Sequence, residues 1–351
     1  MATKRYALVN VRVRAMKSRF LDSSDYDRLV QSKSYERFID VLRTTHYRGA
    51  IDRESTTDVP DSKELANILS KEFAECIDIL SESVTDPVKS FILTCVKRPF
   101  IENLKSIIRE IHAGLEERSV KEFFVPLSDT YEDLLIELDK HGTIRDMIEK
   151  IPYEDLKEAL IAREPAFEEY RSTAPFEVVV EEWYLKEVQD ALGNFSKDDR
   201  ERVTSILEPR VDLQNVVTRL RALSLGLRSE IVELSMIQFT EESRALARNI
   251  EKTSSWNDVI SVLDETKYSR FAERFLEVEE DRRNPYHVEL GIKEYVAEQA
   301  KKQLKAFPFQ LGMIVGFLTL KQYEIGNIRS LAVGIEKGMS AEIMRDIIVV
   351  W

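Results

Sequence analysis

The residues that could do chemistry in this chain are few, and their spacing does not suit it. Metal ligation needs donors that converge on one point. His46, His112, His141 and His287 stand far apart, and no His-Glu-x-x-His pair occurs. Cys76 and Cys95 have no nearby Cys or His to complete a zinc site. Both lie in amphipathic helical sequence, imply no disulfide framework and fit a reduced, cytosolic setting. The adjacent acids Glu181-Glu182 and Glu279-Glu280 sit in charged runs. They read as solvated faces rather than as an acid/base pair, which needs perturbed surroundings. Neither Gly-x-x-x-x-Gly-Lys-Ser/Thr nor Gly-x-Gly-x-x-Gly is present, so no phosphate cradle of either kind is expected. The expectation is therefore no catalytic residue, no metal, no cofactor and no small-molecule substrate.

One cluster does carry a sign. Up to Phe20 the chain holds Lys4, Arg5, Arg12, Arg14, Lys17 and Arg19 and no acid. These cations could contact phosphates or acidic lipid headgroups. The plainer reading is a solvated face, or a contact with an acidic region of the same protein. The whole chain has a formal net charge of −12 over 351 residues, which argues against a nucleic-acid partner.

The elements that must position these groups read as helices. Gly (11) and Pro (10) are scarce for this length, and strands and tight turns need more of both. The runs SKELANILSKEFAECIDILSESV and GIKEYVAEQAKKQLKAF have helical periodicity. No convincing alternating run exists outside the first dozen residues, so the predicted class is all-α. Surface connections are expected at 48–63, around Pro126, at 163–175 and at 279–287. The most apolar run, 307–320, ends at Lys321 and is too short to cross a bilayer. It reads as a buried helix with Pro308 near its first turn. The N-terminus lacks the apolar region of a signal peptide.

A helical segment recurs at a fixed interval. Asn103, Asn215 and Asn327 are each followed eleven residues later by Gly114, Gly226 and Gly338. Such self-similarity marks a copied structural unit. After each Asn the apolar positions form one stripe: Leu104, Ile107, Ile108 and Ile111, then Val216, Leu220 and Leu223, then Ile328, Leu331, Ala332 and Ile335. Arg219 interrupts the second stripe and must snorkel, pair with an acid or line a cavity. Gly at this place suits the left-handed residue past a helix end. The mid-helix Asn side chains either bond across a helix crossing within each unit or line a central hollow. A weaker echo, Leu-x-x-Thr-x-Tyr, closes on Tyr47 and Tyr268, with Tyr153 a looser match. These tyrosines read as packed aromatics closing a helix turn. The chain parses into units at 1–118, 119–230 and 231–351.

With those residues in view, the chain resembles the C-subunit family of the archaeal and vacuolar-type rotary ATPases, whose eukaryotic counterpart bears the letter d. The N-terminal match is Tyr6, Asn10, Arg12, Arg14, Met16, Lys17, Ser18 and Arg19. The C-terminal match is an apolar helix followed by Lys321, Glu324, Asn327, Ile328, Arg329 and Gly338. One departure is visible: the acid three residues before Asn, present as Asp212 and Glu324, is Phe100 in the first copy, where Glu102 could substitute. The resemblance implies a non-catalytic, all-helical funnel of three similar units about a pseudo-threefold axis. It also implies a place on the cytoplasmic face of the cell membrane, between the membrane proteolipid rotor ring and the central-shaft subunits of D and F type, where the funnel acts as a socket that transmits torque. The partner-facing residues expected are Arg12, Arg14, Lys17 and Arg19, followed by Arg219 and Arg221. The short form, without insertions, leans toward ATP synthesis. An unrelated α-helical repeat adaptor would fit the Asn-to-Gly spacing equally well, but not the terminal signatures.

Overall fold

The computed structural model describes residues 2–115, 129–140, 142–276, 285–306 and 308–351. Every regular element among them is a helix. The N-terminal group is α1 (Ala2–Lys17), α2 (Ser23–Val30), α3 (Tyr35–Leu42) and α4 (Arg48–Glu54). A hairpin follows, with α5 (Ser62–Glu82) returning through α6 (Val88–Cys95) and α7 (Lys97–His112). The next group is α8 (Asp129–Asp139), α9 (Ile144–Glu149), α10 (Glu154–Ile161) and α11 (Glu164–Tyr170), leading to the consecutive long helices α12 (Ala174–Leu192) and α13 (Lys197–Leu225). A third group comprises α14 (Ser229–Glu233), α15 (Glu241–Glu251), α16 (Trp256–Asp264) and α17 (Ser269–Leu276). It precedes the hairpin α18 (Pro285–Lys305) and α19 (Leu311–Glu336), and α20 (Ala341–Asp346) ends the chain.

Residues 2–12, in the stretch whose alternation left a strand open, are helical. Tyr6, Val9, Asn10 and Val13 are buried, which is the i, i+3, i+4, i+7 face of a helix. The stretches 48–63 and 163–175, expected as connections, contain the short helices α4 and α11. Pro308 lies near the first turn of its helix, just ahead of it. α19 begins at Leu311, after Phe309 at φ 73° and the N-cap Gln310, and the Leu311 N–H donates to Asp199 Oδ1 at 2.8 Å. Pro126, His141 and Glu279-Glu280 lie outside the described residues.

The three Asn helices are α7, α13 and α19, each following the long helix of its group. Their stripes are buried as expected: Leu104, Ile107 and Ile108 in the first, Val216 and Leu220 in the second, Ile328 and Leu331 in the third. Each such side chain contributes about 1.5–3 kcal/mol by leaving water. The helices also pack in order. α7 lies on α12, α13 on α18, and α19 on α5, so the last hairpin closes back on the first.

Each Asn helix ends on the same device. Gly114, Gly226 and Gly338 have φ of 66°, 62° and 68°. The residue after each glycine donates its N–H five positions back: Leu115 to Glu110 at 3.2 Å, Leu227 to Ala222 at 2.9 Å and Met339 to Gly334 at 2.8 Å. This six-residue loop satisfies a helix-end carbonyl, and a side chain at a left-handed residue would strain it.

The Leu-x-x-Thr-x-Tyr echo has a physical basis. Thr45 donates its hydroxyl to the Leu42 carbonyl and accepts the Tyr47 N–H, at 2.7 and 3.2 Å. Thr266 does the same between Leu263 and Tyr268, at 2.7 and 3.1 Å. The threonine thus replaces backbone partners at the helix exit and aims the tyrosine inward. Ser34, Thr143 and Ser255 cap the starts of α3, α9 and α16 with a side-chain oxygen.

Candidate functional site

Two of the three repeated asparagines, Asn215 and Asn327, act as clamps on the backbone. Asn215 donates from Nδ2 to the Ile237 carbonyl at 2.9 Å and accepts the Ile237 N–H on Oδ1 at 2.8 Å. Asn327 does the same to Val349, at 2.6 and 3.0 Å. In both cases the clamped residue lies 22 positions on. A carboxamide offers one donor and one acceptor side by side, so it can stand in for a strand neighbour of that peptide. These contacts are buried, where an unpaired group is costly. The geometry supports a holding role for both: Asn327 clamps within the unit 231–351, whereas Asn215 reaches from 119–230 across the expected boundary to Ile237. Asn103 is likewise buried.

Three residues before the Asn, the acids receive the echo tyrosines. Tyr47 donates to Glu324 Oε1 at 2.7 Å, and Tyr268 donates to Asp212. Where the acid is Phe100, its ring meets Tyr153 at 6.0 Å, with the planes at 70°. An edge-to-face aromatic pair thus replaces a hydrogen bond at the same place. A lysine also lies over each of these rings. Lys321 is 4.5 Å from the Tyr47 centroid, Lys97 5.7 Å from that of Tyr153 and Lys267 5.2 Å from that of Tyr268. Lys97 and Lys321 occupy equivalent positions six residues before their Asn. The second copy has Pro209 there, and Lys267 supplies the cation from the other side.

The cluster around Glu324 is the most deeply buried of these. Lys321 directs its three protons to His46 Nε2, Tyr47 Oη and Glu324 Oε1, at 3.1, 2.9 and 3.1 Å. Glu324 also accepts the Leu21 N–H at 2.6 Å. Burial, with Lys321 and Arg19 beside it, pushes the His46 imidazole down to about 3, so it is neutral and accepts from the ammonium. These contacts join the N-terminal group to the last hairpin. Tyr26 Oη accepts from Asn327 at 3.2 Å, and Phe20 packs on both Phe317 and Trp351, at 5.5 and 5.9 Å.

The three Asn helices meet at a cavity of ≈ 40 Å³. Arg98, Arg210 and Gln322, each five residues before its Asn, line it, and so do Cys95, Leu207 and Thr319, each eight before. A partly buried ionic network stands beside it. Arg98 and Lys105 pair with Glu181, and Arg98, Lys105 and Arg210 pair with Glu102. Burial alone would raise the Glu181 carboxyl, but Arg98 and Lys105 overrule it and hold it at about 2. Glu181 is 4% exposed. It is therefore not on the solvated face that the charged run suggested, because the arginine and lysine of α7 compensate its charge. Burial raises the neighbouring Glu182, against the Gln238 N–H that it accepts at 2.7 Å. The sequence signal for this network was available in the shared offset of Arg98 and Arg210.

The expected partner residues fall into two groups. Arg12, Arg14 and Arg19 are exposed on or just past α1, and Lys17 is half-buried. Arg219 and Arg221 lie in the last turns of α13, about 30 Å along that helix from Asp199, which binds Tyr6 of α1. Their guanidinium groups have partners within the chain. Arg219 donates to the Thr253 hydroxyl at 3.3 Å and to the Thr253 carbonyl just past the end of α15, and Arg221 pairs with Glu289. Arg219 breaks the apolar stripe by reaching out of it to close a neighbouring helix.

The other candidates hold no assembled chemistry. Among the described residues no group of His, Cys, Asp and Glu could hold a metal. Both cysteines are free thiols, raised by burial to about 11 for Cys76 and about 12 for Cys95. No described helix is long and apolar enough to cross a membrane.

Comparison with known proteins agrees with this picture. The sequence pattern of the ATP synthase (C/AC39) subunit family matches residues 9–347. The C-subunit of the A-type ATP synthase of Methanocaldococcus jannaschii is 23% identical over 98% of this chain and 86% of its own length. That of Methanothermobacter thermautotrophicus is 23% identical over 93% of this chain and 83% of its own. That of Pyrococcus abyssi is 20% identical over 98% of this chain and 90% of its own.

Proposed function

The chain belongs to the ATP synthase (C/AC39) subunit family, and on that premise we propose that it is a non-catalytic central-stalk component that couples a membrane rotor ring to a central shaft. Its three similar helical units form a funnel-shaped socket about a pseudo-threefold axis. Torque passes through it between shaft subunits of D and F type and the proteolipid ring, on the cytoplasmic face of the membrane. The observation that carries this reading is the cavity at which the same two positions before all three asparagines converge, within long helices that pack from one unit to the next in a closed cycle. A torque coupler needs stiffness more than a ligand pocket. Buried helices, backbone clamps and a compensated ionic network at the junction provide it. The N-terminal residues 20–54 complete the third unit, because Leu21, Tyr26 and Tyr47 bind Glu324 and Asn327. Arg12, Arg14, Lys17 and Arg19 face a partner of the complex. Arg219 and Arg221, already engaged within the chain, belong to the scaffold.

The test is co-purification in detergent with proteolipid and shaft subunits. The wild-type chain is expected to bring down both. A chain carrying Arg12→Glu, Arg14→Glu and Lys17→Glu is expected to lose one of them while keeping its helical content. Retention of both partners by that variant overturns the assignment of the N-terminal cations. Failure of the wild-type chain to bind either partner overturns the rotary reading.

A further inference from the structure

The ionic network at the junction of the three Asn helices leaves one positive charge over. Its carboxylates are Glu102 and Glu181, and its cations are Arg98, Lys105 and Arg210. Burial works against both charged carboxyls, but Arg98 and Lys105 overrule it and hold both well below the usual carboxylate range, so both are ionised at neutral pH. No other acid among the described residues forms an ion pair with Arg98, Lys105 or Arg210. Arg98 gives its terminal nitrogens to Glu181 and Glu102. Its Nε–H is buried and meets no acceptor. A buried donor in that state is costly, and more so where the local charge is already unbalanced. Beside it lies the cavity of ≈ 40 Å³, to which each Asn helix brings a donor at the same place: Arg98, Arg210 and Gln322. The Thr319 hydroxyl lines it too, and so does the Cys95 thiol, which burial keeps protonated. Among the described residues neither Gln322 nor Thr319 has a hydrogen-bond partner. Glu181 also lines the cavity, and its two oxygens are taken by Arg98 and Lys105.

We propose that this cavity binds one monatomic anion, chloride or a like halide, held between Arg98, Arg210 and Gln322. The ion supplies the negative charge that the network lacks and an acceptor for donors that the fold leaves without one. A water molecule would accept from the same donors but would leave the surplus charge in place. Size selects the ligand class. A water needs about 10–15 Å³ of such space, so ≈ 40 Å³ takes a monatomic ion with a water or two, and no phosphate ester or nucleotide. The Arg210 side chain is 34% exposed and leaves the ion a way in from solvent. Since one donor comes from each of α7, α13 and α19, the bound ion ties the three helices to one another. The site is built by this chain alone, so it goes beyond the coupling role and does not depend on it.

The experiment is thermal unfolding of the full chain at fixed ionic strength, with sodium chloride exchanged for sodium gluconate, whose anion is too large for the cavity. Fixed ionic strength keeps general screening the same in both salts. Chloride is expected to raise the melting temperature by about 2–4 °C, along a curve that saturates as a single site fills. Gln322→Glu places a fixed carboxylate on the same wall with almost no change of size. That chain is expected to melt in gluconate as high as the wild type does in chloride, and to ignore chloride. A variant that merely damaged the fold would not show this gain. Anomalous diffraction from crystals grown in sodium bromide locates the ion itself, and a peak is expected between Arg98, Arg210 and Gln322. Equal melting of the wild type in both salts, a chloride response kept by the Gln322→Glu chain, a lower melting temperature of that chain than of the wild type in gluconate, or a cavity without a bromide peak each overturns the proposal.

Discussion

Replacing Glu324 with alanine tests whether the buried cluster at the base of the third Asn helix holds the chain together. Glu324 is fully buried and accepts from Leu21, Tyr47 and Lys321, which is itself 3% exposed. Removing it orphans one backbone N–H and leaves an ammonium with no countercharge. Breaking a buried pair in this way costs about 3–5 kcal/mol, and an orphaned buried donor about 1–3 kcal/mol by itself. The two overlap at one site, so about 4 kcal/mol is the expected loss, read from urea unfolding. The sharper expectation is a change of sign. In the wild-type chain Lys321→Met destabilises, because Glu324 loses its countercharge. In the Glu324→Ala chain the same change removes the stranded ammonium and should restore about 1–3 kcal/mol. A cost below about 1 kcal/mol for Glu324→Ala, or equal destabilisation by Lys321→Met in both backgrounds, refutes the reasoning.

Four further outcomes follow from the geometry. Asn215→Leu leaves the buried Ile237 N–H and carbonyl without partners, at about 2–4 kcal/mol, and hydrogen exchange at Ile237 should accelerate. Gly226→Ala has open space for its new carbon but sits at φ 62°, so its cost should be strain alone, about 1–2 kcal/mol by thermal unfolding. Gly316→Ala would set its methyl 2.6 Å from the Ala300 carbonyl, and the resulting parting of α18 from α19 should cost about 1–3 kcal/mol by the same measurement. His46 titrates at about 3 in the fold against 6.5 when free. The unfolded chain therefore binds a proton that the fold refuses between those values. Stability is complete above about pH 6.5 and falls as pH drops through that window, and His46→Gln should lose up to about 3 kcal/mol less than wild type between pH 7 and 4 in urea titrations.

The sequence made the helices legible wherever a single periodicity ran long, as in α5 and α18. It also located the three glycines, because only a left-handed residue demands glycine at a fixed distance past a helix. It did not disclose that Tyr47 answers to Glu324 rather than to its own neighbours. A contact 277 positions away has no local signature. The same limit hid the Glu181 network. An acid in a charged run looks solvated until Arg98 and Lys105 are folded against it. Arg219 was readable as an anomaly but not as its solution, since Thr253 is polar for reasons of its own helix end. α4 and α11 were missed because helices of seven residues carry too little periodicity to stand out from polar connections.

The bonds between Tyr47 and Glu324 and between Tyr26 and Asn327 also set a clock. A ribosome adds about 5–20 residues per second, so the acceptor for the Tyr47 hydroxyl emerges about 14–55 s after the tyrosine itself. During that interval α1 and α3 exist without α19, which packs on both in the fold. Folding of the last unit cannot be completed before translation is nearly complete. The nascent N-terminal group is then a natural client for a chaperone, and the final closure is a ring-like event between the earliest and latest parts of one chain.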